Sequence, residues 1–244
     1  MRWSLLPLLA LAAWCSPCAA VCRAESGERT IALVELYTSA RCTACPVAER
    51  WLSDVARRFS LGRVVPVWLR FDDWEYSGAR AADVAERVSQ REGKLALLQR
   101  TSLLHSPQVL LGGQEFSEWR DAAAFGVALD RINARPAVAI LRLAIRSIVP
   151  PRLAVEVHGR ILGARGGGDD DEIYLAALAR GENGYMLRQW VGPIRPGVQG
   201  AIAASRDLLL PPGARAGDSA VAAFVQSRRS REVLQALLLP ACSP

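Results

Sequence analysis

A Cys-x-x-Cys pair, Cys42 and Cys45, stands where a short apolar run gives way to a helical repeat, and that junction limits the folds open to this chain. The run before it, Ile31 to Tyr37 (IALVELY), reads as a strand carrying one acid, Glu35. After it, Val47, Trp51, Val55 and Phe59 recur every four residues with Ala48 and Leu52 alongside, which is the stripe of an amphipathic helix. The pair therefore occupies a strand-to-helix turn, with Cys42 near the helix start. Free N–H groups and the positive end of the helix dipole gather there, and both favour a thiolate, the nucleophile of disulfide exchange. Arg41 places a cation beside Cys42 and pushes its pKa down further. Cys42, earlier in the turn and the more exposed, is the expected attacking thiol. Cys45 is the expected resolving thiol, which releases a mixed disulfide.

The chain holds 244 residues, enough for one large domain or two small ones. Its first 20 residues carry Arg2, an apolar run from Leu5 to Trp14 and then Cys18-Ala19-Ala20, the pattern of a secretory signal cut after Ala20 or, as second choice, after Ala24. The apolar run is too short for a good membrane span. Neither Cys15 nor Cys22 follows the small residue that precedes a lipidated cysteine, so a soluble exported protein, periplasmic or secreted, is expected, without stable membrane insertion. The net charge of +6 comes from dispersed arginines, with Lys94 the single lysine, and predicts no nucleic-acid surface. Of six cysteines, Cys15 and Cys18 fall inside the leader. Cys22 and Cys242 either pair and tie the termini in an oxidising compartment, or Cys22 leaves with a cut at Ala24 and Cys242 stays a lone thiol.

From Ile31 to about Ala134 strands and helices alternate. Val64 to Phe71 is a second strand, and Arg80 to about Leu98 a helix. Pro107 to Leu111 and Gln114 to Phe116 flank a Gly112-Gly113 hairpin turn, and Glu118 to Asn133 is a last helix. Strand, helix, strand, helix, strand, strand, helix is the thioredoxin order, and its third strand follows a small residue and a proline; Ser106-Pro107 fills that place and predicts a cis bond at Pro107. Past Arg135-Pro136 helical periodicity stops. Short runs over Val138–Ile145, Leu153–Val157, Glu172–Ala179, Gly200–Ala204, Ala220–Val225 and Val233–Leu239 lie between Gly- and Pro-rich turns, including Gly192-Pro193. The expectation is an α/β thioredoxin-like domain at 25–135 followed by an all-β, sandwich-like accessory domain at 136–244.

Three segments carry a resemblance: VELYTSARCTACPVAE, then RFDDWEYSG, then HSPQVLLGG. In this order they resemble exported bacterial thioredoxin-like proteins catalogued as domain of unknown function 1223, and EIYLAALARGENG resembles that family's strand and R-G-E-N turn. The resemblance covers most of the mature chain and implies a thioredoxin-like fold with a C-terminal β-domain. The family has no settled activity to carry over.

Other residues stand near this chemistry. Thioredoxins place an acid under the cysteine pair as a proton relay to the resolving thiol, and Glu35 is the candidate here; a solvent-facing acid is the alternative. His105, two residues before Pro107, could steady the thiolate or join Cys42 and Cys45 as a soft ligand set for Cu(I). The cluster Asp72, Asp73, Trp74, Glu75, Tyr76 reads as a substrate rim or a capped loop packed on Trp74, and Gly166 to Glu172 as a solvated hairpin without calcium-loop spacing. The sequence thus predicts a thiol–disulfide oxidoreductase acting on protein thiols or a redox partner, with no cofactor. A copper carrier and a binding module with a structural disulfide are the alternatives.

Overall fold

The computed structural model describes residues 22–70, 105–162, 170–181, 183–211 and 213–242. The leader, the segment Asp72 to Tyr76 and the expected helix from Arg80 to Leu98 lie outside them. A short strand, β1 (Cys22–Glu25), precedes the apolar run that becomes β2 (Ala32–Thr38). Every residue of β2 is buried, as in a strand covered on both faces. Its even-numbered side chains Ala32, Val34 and Leu36 meet Ala48, Leu52 and Val55 of α1 (Cys45–Arg58), which returns the chain to β3 (Val64–Arg70), parallel to β2. Arg57 and Arg58 sit in the last turn of α1, where the helix dipole is negative.

On the other side of β2 runs β4 (Gln108–Leu111), antiparallel, which turns through Gly112 and Gly113 into β5 (Gln114–Glu115). Both glycines have positive φ, 61° and 83°, which a side chain disfavours. The next helix, α2 (Ala122–Asn133), begins at Ala122 rather than Glu118. Asp121 explains the start: its carboxylate accepts from the N–H groups of Ala123 and Ala124 at 2.8 and 3.1 Å and caps the helix.

The second half is β throughout: β6 (Ala139–Val149), β7 (Arg152–Ile161), β8 (Asp171–Gly181), β9 (Gly184–Ile194), β10 (Ala201–Leu209), β11 (Ser219–Ser227) and β12 (Val233–Pro240). Each expected run coincides with a strand, except that Val138 and Gly200 lie one residue ahead of β6 and β10. Two strands escape the sequence pattern, β1 and β9. In β9 the turn-like Gly192-Pro193 lies inside the strand, because Gly192 passes the ring of Tyr174 on β8. A Cβ there would come within 2.6 Å of Tyr174 Cδ1 and 2.9 Å of the Ile173 carbonyl.

Eight strands form one mixed sheet in the order β12-β11-β8-β9-β3-β2-β4-β5, and four form a second in the order β1-β6-β7-β10. The small sheet lies over the β8, β11 and β12 part of the large one. Leu141, Leu143, Val155 and Val157 pack there against Leu175, Val221, Ala223 and Leu237. This two-layer packing is sandwich-like. Residues on either side of the expected 135/136 boundary nevertheless share one sheet, joined by the parallel pairing of Trp68 with Met186. They also share a core, in which Leu33, Tyr37 and Val67 lie with Tyr174, Leu178, Phe224 and Ala236. The large sheet curls until β12 reaches the start of β2. Ile31 N–H donates to Gln235 Oε1 at 2.7 Å, and Val233 N–H donates to the Gly112 carbonyl at 2.8 Å. The all-β half therefore has a core of its own between the two sheets and shares a second one with the first half.

Candidate functional site

Loop 39–44 leaves the C-terminal end of β2 and delivers the two cysteines to the start of α1. Cys42 lies in the turn, with its N–H donating to the Ser39 carbonyl at 3.2 Å, and the Cys45 N–H donates to the Cys42 carbonyl at 3.3 Å. The helix begins at Cys45, so Cys42 stands just ahead of it rather than inside its first turn. Ala44 is the capping position and supplies no side-chain hydrogen bond, and Pro46 has no N–H to satisfy. Amides of the first turn are thus not taken by a capping side chain. Cys42 and Cys45 are joined in a disulfide. Their exposures differ sharply: Cys45 is 1% exposed, while Cys42 is only partly buried and is flanked by exposed Arg41 and Thr43.

Pro107 arrives from the other side. Tyr37 of β2 is in register with Gln108 of β4, which sets Pro107 level with Thr38, at the mouth of the cysteine loop. The Ser106–Pro107 bond is cis. His105 is exposed and faces Glu115, with Nε2 3.6 Å from Oε1. Among the described residues no three histidine, cysteine or acidic side chains converge as metal ligands, so the alternative Cu(I) set of Cys42, Cys45 and His105 is not assembled. Of the described acids in the glycine–aspartate run, Asp170, Asp171 and Glu172, the first and last face Arg229 and Arg231, at 3.2 and 3.4 Å.

Glu35 is fully buried, but its position differs from the expectation. It belongs to the β2 face shared by Leu33 and Tyr37, whereas α1 covers the opposite face at Ala32, Val34 and Leu36. The Tyr37 hydroxyl, on the same side, donates to Glu35 Oε1 at 3.0 Å. The carboxylate lies across the sheet from the helix that carries the cysteines, not beneath them.

A different acid shares their helix. Glu49 is one turn beyond Cys45 on α1 and is half-buried. Burial raises its carboxyl above the ordinary range, while Arg70, the Thr38 hydroxyl and Arg50 pull the other way. Thr38 is fully buried and its Oγ1 accepts the Trp68 indole N–H at 2.7 Å; Arg70 lies over the Trp68 ring at 5.8 Å. The spacing Cys45–Glu49, four residues on a helix, was the available sequence signal for this acid.

Comparisons with known proteins follow this geometry. HBP35 of Porphyromonas gingivalis is similar over 87% of this chain and 76% of its own, with a TM-score of 0.66 and 12% identity. Protein AGR_C_4864 from Agrobacterium tumefaciens is similar over 90% of this chain and 98% of its own, with a TM-score of 0.57 and 16% identity. At these identities the likeness is one of fold alone. No curated protein matches the chain. The model of the family described as protein of unknown function, DUF1223, matches residues 33–186, from β2 through the cysteine pair to β9, and the chain belongs to that family.

Proposed function

We propose that this chain is a thioredoxin-like thiol–disulfide exchanger that works on protein thiols outside the cytoplasm. The observation that carries this reading is the asymmetry of the pair: one disulfide at the entry to α1, with Cys42 partly exposed and Cys45 buried. A partner disulfide can reach only one of the two sulfurs, which is what an attacking and a resolving thiol require. The strand order β3-β2-β4-β5, with β2 and β3 parallel and β4 antiparallel, supports a thioredoxin-like core around that site. Two disulfides fit an oxidising compartment. Among the described residues no helix is long and apolar enough to cross a membrane.

In the reducing direction the Cys42 thiolate attacks one sulfur of a substrate disulfide. The substrate S–S bond breaks, one substrate thiolate leaves, and a mixed disulfide remains on Cys42. Cys45 then loses its proton and attacks the Cys42 sulfur. The mixed bond breaks, the second substrate thiolate leaves, and the Cys42–Cys45 disulfide forms. Two electrons pass from the pair to the substrate, and oxidation of a substrate dithiol is the same sequence reversed. The positive end of the α1 dipole favours the Cys42 thiolate in either direction.

Trapping and turnover test this. Cys45→Ser should accumulate mixed disulfides between Cys42 and protein partners on non-reducing gels, and Cys42→Ser should abolish insulin disulfide reduction driven by dithiothreitol. Wild-type turnover in Cys42→Ser would refute the assignment and leave the pair a structural staple.

A further inference from the structure

A buried thiol attacks only after it has lost its proton, and burial itself opposes that loss. Cys45 is such a thiol, and the question is which base serves it. Glu49 lies at the i, i+4 position from Cys45, where helical side chains stack on one face with Cβ atoms about 5–6 Å apart. The Thr38 side chain fixes its seat from below. Thr38 is the last residue of β2, its oxygen is engaged by the Trp68 indole, and its own proton is left to turn to the carboxyl beside it. The burial that raises Glu49 brings it nearer the pH at which a general base works best.

Among the described residues the charges around this carboxyl are few. Arg70 faces it from β3 and Arg50 from its own helix. On β9, which also packs against α1, Arg188 is the charged residue. Phe125 and Leu129 of α2 contribute only apolar surface to this cluster. Glu35 on β2 occupies the opposite face of the sheet.

Resting on the exchange reading above, we propose that Glu49 takes the proton from the Cys45 thiol as that sulfur attacks the mixed disulfide, and returns it to the departing substrate thiolate. No atom or electron is unaccounted for: the substrate disulfide is the oxidant, the dithiol is the reductant, and the carboxyl carries one proton between them. Glu49 acts on the resolving step alone, and the attack by Cys42 does not need it.

The two steps separate with dithiobis-nitrobenzoate, a chromogenic disulfide, mixed rapidly with the reduced full-length protein. Attack by Cys42 releases one coloured thiolate, and resolution by Cys45 releases the second. Glu49→Gln should slow the second release about tenfold or more at neutral pH, against the roughly 10²–10⁴-fold that full general-base help supplies. The gap should narrow steadily as pH rises past about 8.5, where a free thiol ionises unaided. The first release should stay within about twofold of wild type, since Glu49 takes no part in it. Glu49→Asp should recover part of the second rate, and Glu35→Gln should leave its pH profile in place. Identical second phases in Glu49→Gln and wild type at every pH, equal slowing of both phases, or a shifted profile in Glu35→Gln instead would each overturn the role of Glu49 while sparing the exchange reading. Absence of the first release in wild type would overturn both.

Discussion

Among the described residues the buried acids Glu35 and Glu172 each have a hydrogen-bonding partner, which marks them as structural. Glu172 is held by Arg231 at 3.4 Å and by the Tyr174 hydroxyl at 2.8 Å, with both members of the ion pair almost wholly buried. Gln226 ties down the same loop by donating to the Arg231 carbonyl at 2.6 Å. Arg231→Met should therefore leave a carboxylate stranded and cost about 3–5 kcal/mol in urea unfolding. Replacing Glu172 as well, by Leu, should restore much of that loss, and a double-mutant cycle measures it. Glu49 is different in kind, since it is only half covered and lies one helical turn from Cys45, with Arg70, Thr38 and Arg50 around it. At this scale the sequence exposed Cys42, Cys45 and Pro107, which the structure places at the same end of β2. It did not expose which side of β2 carries Glu35. A strand buried on both faces lacks the polar–apolar alternation that would say where the helix lies. Glu49 was overlooked because an acid on an amphipathic helix ordinarily faces water.

Elements were legible where one periodicity ruled and illegible where backbone geometry overrode it. The repeat Val47, Trp51, Val55, Phe59 with Ala48 and Leu52 located α1, although Val47 is exposed and Ala48, Leu52 and Val55 form the buried face, and the Gly112-Gly113 turn placed β4 and β5. The start of α2 moved because a capping aspartate, not the apolar repeat, decides where a helix begins. β9 was hidden because its Gly192-Pro193 pair signals a turn in any sequence, and only the ring of Tyr174 explains a glycine inside the strand. Gly192 has φ 145°, so Gly192→Ala suffers both a backbone conformation hostile to side chains and an overlap with that ring. The variant should lose about 1–3 kcal/mol of stability in denaturant titration, with the cysteine chemistry unchanged. β1 escaped notice because a four-residue strand leaves almost no pattern to read. It pairs with β6 in the register Cys22 to Ile145, and this brings Cys22 to its disulfide with Cys242.

For the whole molecule, the two halves read from the sequence are joined more closely than their change in periodicity implies. The parallel contact of β3 with β9 and the return of β12 to the start of β2 were invisible because pairing between distant strands leaves no local mark. The consequence is two disulfides of opposite character in one body. Cys22–Cys242 closes a separation of 220 residues with Cys22 buried, and it clamps the small sheet to the end of β12. Cys42–Cys45 closes three residues and keeps one sulfur within reach of solvent. Thiol exchange at α1 requires the second to open while the first holds. Equilibrating the oxidised full-length protein in glutathione buffers, and counting reduced cysteines by alkylation and peptide mass, measures both at once. Cys42–Cys45 should be reduced first, with a potential above about −300 mV, while Cys22–Cys242 stays closed. A Cys42–Cys45 potential below about −300 mV would make the pair an inert bridge and contradict the exchange function.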